Sequence, residues 1–314
     1  MRTINIIALL AFFITLNACT KDIDLPIPET TPRLVMNGVM EADSLFILNL
    51  SSSVSAKSGS VPSYVNDGLV QVFENGVLLK TLALNNSIYS SQWGTAVEGN
   101  YLDSSFKPMP GHSYEIKASK TGFNTISATV TAPLVVNCDT LSVNNIVITS
   151  GGGFGGSQSN PGKSIQIKVI DQDLATKNYY LLRIRQFDSS LNGMLMAGIG
   201  TNNLDLQELN GLQGANESAD VLYFSDELFK NGEWKGEVHF EIWGRGGWGS
   251  FSAGAYFLEV LKVSKDYYLY LQSVDSYNSS SGNPFAEPSQ VSSNVLNGYG
   301  MIGAQSMKRF QIPK

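Results

Sequence analysis

The segment Phe73-Glu74-Asn75-Gly76-Val77-Leu78-Leu79 narrows most what this chain can become. Apolar residues flank an Asn-Gly pair that accepts the positive φ angles of a two-residue type I′ turn, so the segment reads as a β-hairpin. The same pattern repeats on both sides of it. Leu34-Val35-Met36 runs into Asn37-Gly38, Phe46, Leu48 and Leu50 alternate with Ile47 and Asn49, and Val70 and Val72 flank Gln71. Tyr114, Ile116 and Ala118 alternate, as do Ile126, Ala128 and Val130, until Ala132-Pro133 ends the run. A period of two sends one face of each strand into a core, and Pro cannot donate to a ladder. About seven short strands in roughly 100 residues, with turns every 8–12, predict an immunoglobulin-like β-sandwich over residues 33–133.

Residues 134–314 predict a second β-rich domain. Val135 to Ile148 opens it, and Ser150 to Ser157, with five glycines, predicts a flexible loop over 150–162. Ile165, Ile167 and Val169 alternate with polar residues, as do Tyr180, Leu182 and Ile184, and Val238, Phe240 and Ile242. Residues 188–232 read as long loops with brief ordered pieces. One helix stands out, over residues 265–277, with Ser264 as its N-cap and Asp266 in its first turn. Tyr267, Tyr270, Leu271, Val274 and Tyr277 form its apolar stripe. The expected fold is therefore mostly β, an N-terminal sandwich and a second β domain with one packed C-terminal helix.

Composition agrees with that class. Of 314 residues, 15% are charged, against about 25% in an ordinary soluble domain, and 30 are glycine. This suits a turn-rich extracytoplasmic protein. A formal charge of −6 excludes the concentrated basic face that nucleic acid needs.

The N-terminus reads as an address. Arg2 precedes an apolar run from Ile6 to Leu16, too short to span a bilayer. Leu16-Asn17-Ala18-Cys19 is similar to a bacterial lipobox, so residues 1–18 are expected to be a lipoprotein signal peptide. Cys19 is the expected lipidation site, and residues 19–32 a lipidated tether. Two or three acyl chains, at about 0.8 kcal/mol per buried methylene, make such an anchor effectively permanent. Cleavage removes one cation, Arg2, and shifts the formal charge from −6 to −7. Lys21, Asp22 and Asp24 resemble the export signals that carry lipoproteins to the outer surface in Bacteroidota; the alternative is a solvated tether with incidental charges. With Cys19 lipidated, Cys138 has no disulfide partner and reads as a buried small hydrophobe.

Several motifs invite chemistry and fall short. Gly244-Arg245-Gly246-Gly247-Trp248-Gly249 fits G-x-G-x-x-G, but no helix pattern or βαβ unit follows it. His112 and His239 are the only histidines. His239 and Glu241 share a strand face, yet zinc needs three or four ligands, so an exposed strand is the expectation. Asp171-Gln172-Asp173 has the alternation of a calcium loop without its later ligands, and a polar turn is preferred. Asp43-Ser44-Leu45 and Asp139-Thr140-Leu141 match a loose O-glycosylation pattern. No G-x-S-x-G elbow occurs, and neither catalytic residues nor cofactors are expected. Trp234, Trp243, Trp248, Phe251 and Tyr256 crowd one stretch, as core or as a contact surface. Trp243, Arg245 and Trp248 are the candidate contacts with a partner or ligand, because Trp and Arg are enriched at interface hot spots.

Tyr267-Tyr268-Leu269-Tyr270-Leu271, then Asn283-Pro284-Phe285-Ala286-Glu287-Pro288, then Ser293-Asn294-Val295-Leu296-Asn297-Gly298-Tyr299-Gly300, with Leu34 to Gly38 near the front, resemble the Bacteroidota lipoproteins of domain-of-unknown-function family 4249. The resemblance spans about residues 20–314. It implies an outer-membrane lipoprotein of mostly β structure, often encoded beside TonB-dependent receptors, and it brings no catalytic residues. The residues themselves also read as a scaffold, with Asn297-Gly298 a hairpin turn returning the last strand to about Ile312. The expected function is a non-enzymatic, surface-exposed outer-membrane accessory of a TonB-dependent transporter or related barrel. The alternative is a free-standing adhesin or glycan binder.

Overall fold

A computed structural model describes residues 31–55, 61–85, 89–91, 94–96, 99–150, 158–171, 173–188, 193–214, 217–242, 254–280, 287 and 289–313. The signal peptide, Cys19, Lys21, Asp22 and Asp24 lie outside them, as do Trp243, Arg245, Trp248 and the glycine motif around them. No helix among the described residues is long and apolar enough to cross a membrane.

The first ten strands are β1 (Leu34–Glu41), β2 (Ile47–Ser52), β3 (Ser63–Tyr64), β4 (Leu69–Glu74), β5 (Val77–Leu84), β6 (Tyr89–Ser91), β7 (Gly94–Ala96), β8 (Tyr101–Leu102), β9 (Ser113–Ser119) and β10 (Ile126–Thr131). Next come β11 (Asn137–Ser150), β12 (Gln158–Ile170), β13 (Tyr179–Asp188), β14 (Gly193–Ala197), β15 (Gly200–Thr201) and the short helix α1 (Leu204–Leu209). The chain ends with β16 (Leu222–Ser225), β17 (Glu233–Glu241), β18 (Tyr256–Val263), helix α2 (Lys265–Ser280) and β19 (Tyr299–Ile312).

One continuous hydrogen-bonded path runs β10-β9-β4-β5-β8-β2-β1-β19-β18-β13-β14, with β3 added on β2 and β16 on β13. A separate sheet runs β11-β12-β17-β15, and β6 pairs with β7. The long path folds over on itself in the N-terminal half. Leu34, Met36, Leu48 and Leu50 meet Val70, Val72, Ile116 and Ile126 in one core, and Phe106 joins the layers edge-on to Phe46 and Tyr114. The expected alternation is what fills this sandwich. Asn75 and Gly76, at φ 50° and 77°, make the expected turn between β4 and β5.

In the second half, the β18–β13 part of the path lies on the four-stranded sheet. Tyr180, Leu182, Ile184 and Leu258 interlock with Ile165, Ile167, Val169, Val238 and Phe240. Cys138 is buried here, and burial pushes its thiol up to about 12, so it is an inert core residue. On the outer face, α2 covers Leu181, Leu261 and Val263. The helix matches its predicted start and runs three residues beyond its predicted end. Tyr267 and Leu271 of the expected stripe pack on this cluster, but the face is turned so that Tyr268 lies at its centre. Tyr268 is the buried tyrosine, against Tyr179 and Tyr223, while Tyr277 is 50% exposed. Ser264 does not spend its hydroxyl on the cap. Its Oγ accepts from Ala304 N at 3.1 Å, and its own N donates to Ala304 O at 2.8 Å.

The last strand joins the two halves. Tyr299 to Gln305 pair in parallel with Val35 to Glu41 of β1, and Gln305 to Ile312 pair antiparallel with Val263 to Tyr256 of β18. Ile302 and Ala304 enter the first core and Ile312 the second. The first sandwich is thus completed by a strand from within 134–314, a long-range pairing that no local pattern encodes. For the same reason Asn297-Gly298 closes no hairpin: Asn297 turns at φ 61° and the chain enters β19 beside β1. The glycine-rich connection is shorter than expected, since β11 extends to Ser150 and β12 starts at Gln158, leaving 151–157 outside the described residues.

Candidate functional site

The strand directions set up two ends of the second sandwich. Ser150 pairs with Gln158, Gly162 with Glu241, Asp188 with Gly193 and Gln186 with Tyr256. These pairs place the β11–β12, β13–β14 and β17–β18 connections at one end, where β19 also finishes. The Phe240 and Tyr256 rings, 4.9 Å apart, close the core beneath it. The candidate contacts Trp243, Arg245 and Trp248 belong to the β17–β18 connection and lie outside the described residues. Of the aromatic stretch, Trp234 and Tyr256 are core.

Within the described part of this end lies a pocket of about 130 Å³ lined by Gly198, Gly200, Glu217, Ser218, His239 and Glu241. That is room for about four waters. His239 was expected on an exposed face and is instead buried. Gly200 pairs across it, and a Cβ there would stand 2.5 Å from Nε2, so a glycine lets β15 close over the ring. Glu241 accepts from Asn160 Nδ2 at 3.3 Å. His112 sits far from here in sequence and pairs with Glu74 Oε1 at 2.5 Å. Among the described residues, no three His, Cys, Asp or Glu side chains gather as a metal site requires.

The opposite end faces the first sandwich across a cleft of about 570 Å³, lined by residues 129–134, 176–179 and 262–266. The Asp171–Asn178 turn forms its polar wall. Asn178 Nδ2 donates to Asp171 Oδ1 and Oδ2 at 3.1 and 2.9 Å and to the carbonyls of Asp173 and Thr176 at 3.0 and 2.8 Å. Asp173 N also donates to Asp171 Oδ1, and Lys262 Nζ stands 3.8 Å from the same oxygen. Asp171 is therefore occupied by protein donors, and Asp173 is bonded to Thr176 Oγ1 at 2.5 Å. The Asp171-Gln172-Asp173 alternation serves a turn, as preferred from the sequence. Burial lowers the Lys262 ammonium below its ordinary range, with Asp171 opposing that shift, and it raises the Tyr180 phenol below the lysine.

The family-like motif at the end of the chain is also structural. Asn294 Nδ2 donates to Ile302 O at 2.8 Å and its Oδ1 accepts from Ile302 N at 3.0 Å, so one side-chain amide stands in for a neighbouring strand. Ser293 Oγ donates to Gly300 O at 2.6 Å. Gly300 has φ 108°, and a Cβ there would lie 2.2 Å from Met36 O.

These features define a mostly β protein of two packed sandwiches sharing a strand, with one helix packed on the second. The chain belongs to the family described as domain of unknown function (DUF4249), which it matches over residues 20–311. No curated protein matches it.

Proposed function

We propose that this protein is a lipid-anchored, non-enzymatic outer-membrane surface protein that serves as an accessory subunit of a TonB-dependent transporter or a related β-barrel. It would engage the barrel through the end of the second sandwich that carries Trp243, Arg245 and Trp248. The observation that carries this reading is the course of β19. Val35, where the tether enters, sits beside Tyr299 at one end of the strand, and Tyr256, after the aromatic connection, sits beside Ile312 at the other. At about 3.3 Å per residue these ends are roughly 43 Å apart. A chain anchored at Cys19 presents the aromatic end away from its tether. The family match begins at residue 20, directly after Cys19. The 14 residues from 20 to 33 reach at most about 50 Å, enough for the molecule to lean over a neighbouring barrel. Confinement to the membrane raises the effective concentration of such a partner, so modest direct affinity suffices.

The test is co-purification from detergent-solubilised outer membranes. Cys19→Ala should move the protein to the soluble fraction. Trp248→Ala should leave the thermal midpoint within about 1 °C and cut barrel recovery by 30-fold or more, the loss of about 2 kcal/mol expected of a hot-spot Trp. Full recovery of the barrel with a folded Trp248→Ala variant would defeat the reading. Loss of glycan binding without any barrel partner would favour the adhesin alternative.

A further inference from the structure

The outer face of the long sheet, beyond α2, carries more positive charge than its surroundings neutralise. Glu259 on β18 is 1% exposed and stands in register between Arg183 on β13 and Arg309 on β19. Arg183 Nε donates to Glu259 Oε2 at 2.5 Å, and Arg309 reaches Oε1 through Nε at 2.8 Å and Nη2 at 2.6 Å. Both carboxylate oxygens are occupied, so one negative charge serves two guanidiniums. Arg185 lies two residues along β13 on the same face and pairs with no carboxylate among the described side chains. Its Nη2 donates to Met194 O at 2.9 Å, its Nη1 meets Met196 Sδ at 3.5 Å, and its Nε is buried with no acceptor.

Three cations and one anion leave a local excess of two positive charges in a chain whose formal charge is −6. Burying an unpaired cation is costly, and an orphaned buried donor in a native fold calls for a missing acceptor. Segments 151–157, 189–192, 243–253 and 281–286 contain no Asp or Glu, and Asp188, three residues from Arg185, is the nearest carboxylate in sequence. The site is also reachable, since the Arg183 and Arg309 side chains are 20% and 44% exposed. Phe257, in register beside Arg185 and with its ring 5.8 Å from the Arg309 guanidinium, adds an apolar wall.

We propose that Arg185, flanked by Arg183 and Arg309, forms an oxyanion-binding site that takes a phosphate, sulfate or carboxylate group of a ligand. Glu259 acts as the positioning residue that holds the two flanking guanidiniums on this face of the sheet. The fork geometry of arginine suits such groups, because paired N–H donors match paired oxygens. Burial lowers the Arg185 guanidinium from its ordinary range, with Arg183 and Arg309 adding repulsion and Glu259 opposing it. The site holds whether or not the aromatic end of the sandwich binds a barrel.

The full-length chain in detergent provides the test. Thermal midpoints are measured in sodium chloride and, at matched ionic strength, in inorganic phosphate, sulfate or malonate. The wild type should gain about 2 °C or more in at least one of the three, and which one it prefers separates phosphoryl, sulfate and carboxylate ligands. Arg185→Met should match or exceed the wild-type midpoint in chloride, since it removes a half-buried cation whose Nε has no acceptor, and should lose the anion response. Three results would overturn the site: no anion response in the wild type, an equal response in Arg185→Met, or a lower Arg185→Met midpoint in chloride, which would make the arginine structural. Should Arg185→Met fail to fold, Arg309→Met reads the same anion response at a more exposed position.

Discussion

Asn100 does the work of a missing strand. Its Oδ1 accepts from Leu50 N at 2.7 Å, and its Nδ2 reaches Leu50 O, Val65 O and Asn66 Oδ1 at 3.0, 2.9 and 3.1 Å. Asn100→Ala would strip Leu50 N and Val65 O of these partners inside the core. It should cost about 2–4 kcal/mol, read as a lower urea midpoint at unchanged m value. A loss below about 1 kcal/mol would mean that water enters and replaces the amide. At this scale the sequence was legible where the signal is local. Val70, Val72, Ile116 and Ile126 face the core as their period of two requires, and Asn75-Gly76 turns as its φ preference dictates. Asn100 and Asn294 were invisible, because a side-chain amide that replaces a strand bonds to backbone far off in the chain and leaves no periodicity beside it. The arginine site was half visible. Alternation puts Arg183 and Arg185 on one face of β13, but Glu259, 76 residues from Arg183, meets them only through the register of β18.

Helix α2 shows what a helical wheel can and cannot say about an element. Its existence and start follow from Asp266 and the recurring apolar residues. Which tyrosines it buries depends on Tyr179 and Tyr223, supplied by β13 and β16. Tyr223 also donates to Asp275 Oδ2 at 2.6 Å, fixing the rotation of the helix by a polar contact that hydrophobic spacing cannot register. Burial raises the Tyr268 phenol to about 12, and it remains neutral throughout the physiological range. Tyr268→Ala should therefore cost about 3 kcal/mol, and Tyr277→Ala less than about 0.5 kcal/mol, in denaturant unfolding. A larger loss at Tyr277 than at Tyr268 would show that the helix packs on the stripe expected from its sequence rather than on the observed one.

For the molecule as a whole, the shared strand decides what counts as a unit. Residues 33–133 hold most of the first core, yet Ile302 and Ala304 complete it, and β1 would lose its β19 edge without them. Deleting residues 299–314 should abolish cooperative unfolding of both sandwiches and leave residues 33–133 open to limited proteolysis and fast amide exchange. Persistent protection of 33–133 would show that the first sandwich stands alone. The end of the strand run at Ala132-Pro133 was legible; the strand that reaches back from beyond it was not, since β19 shows only a strand's local pattern and nothing of its partners. Its pairing also sets a clock. Met301 N bonds to Asn37 Oδ1, 264 residues earlier in the chain. At about 5–20 residues per second, the ribosome makes β1 roughly 13–50 seconds before the strand it needs. The first sandwich stays incomplete for all of that time, and an incomplete, threadable chain is the form that the export proposed above would require. Closure of the sheet then waits on β19, and a product that stops short of this strand is left open to the proteases that clear such fragments.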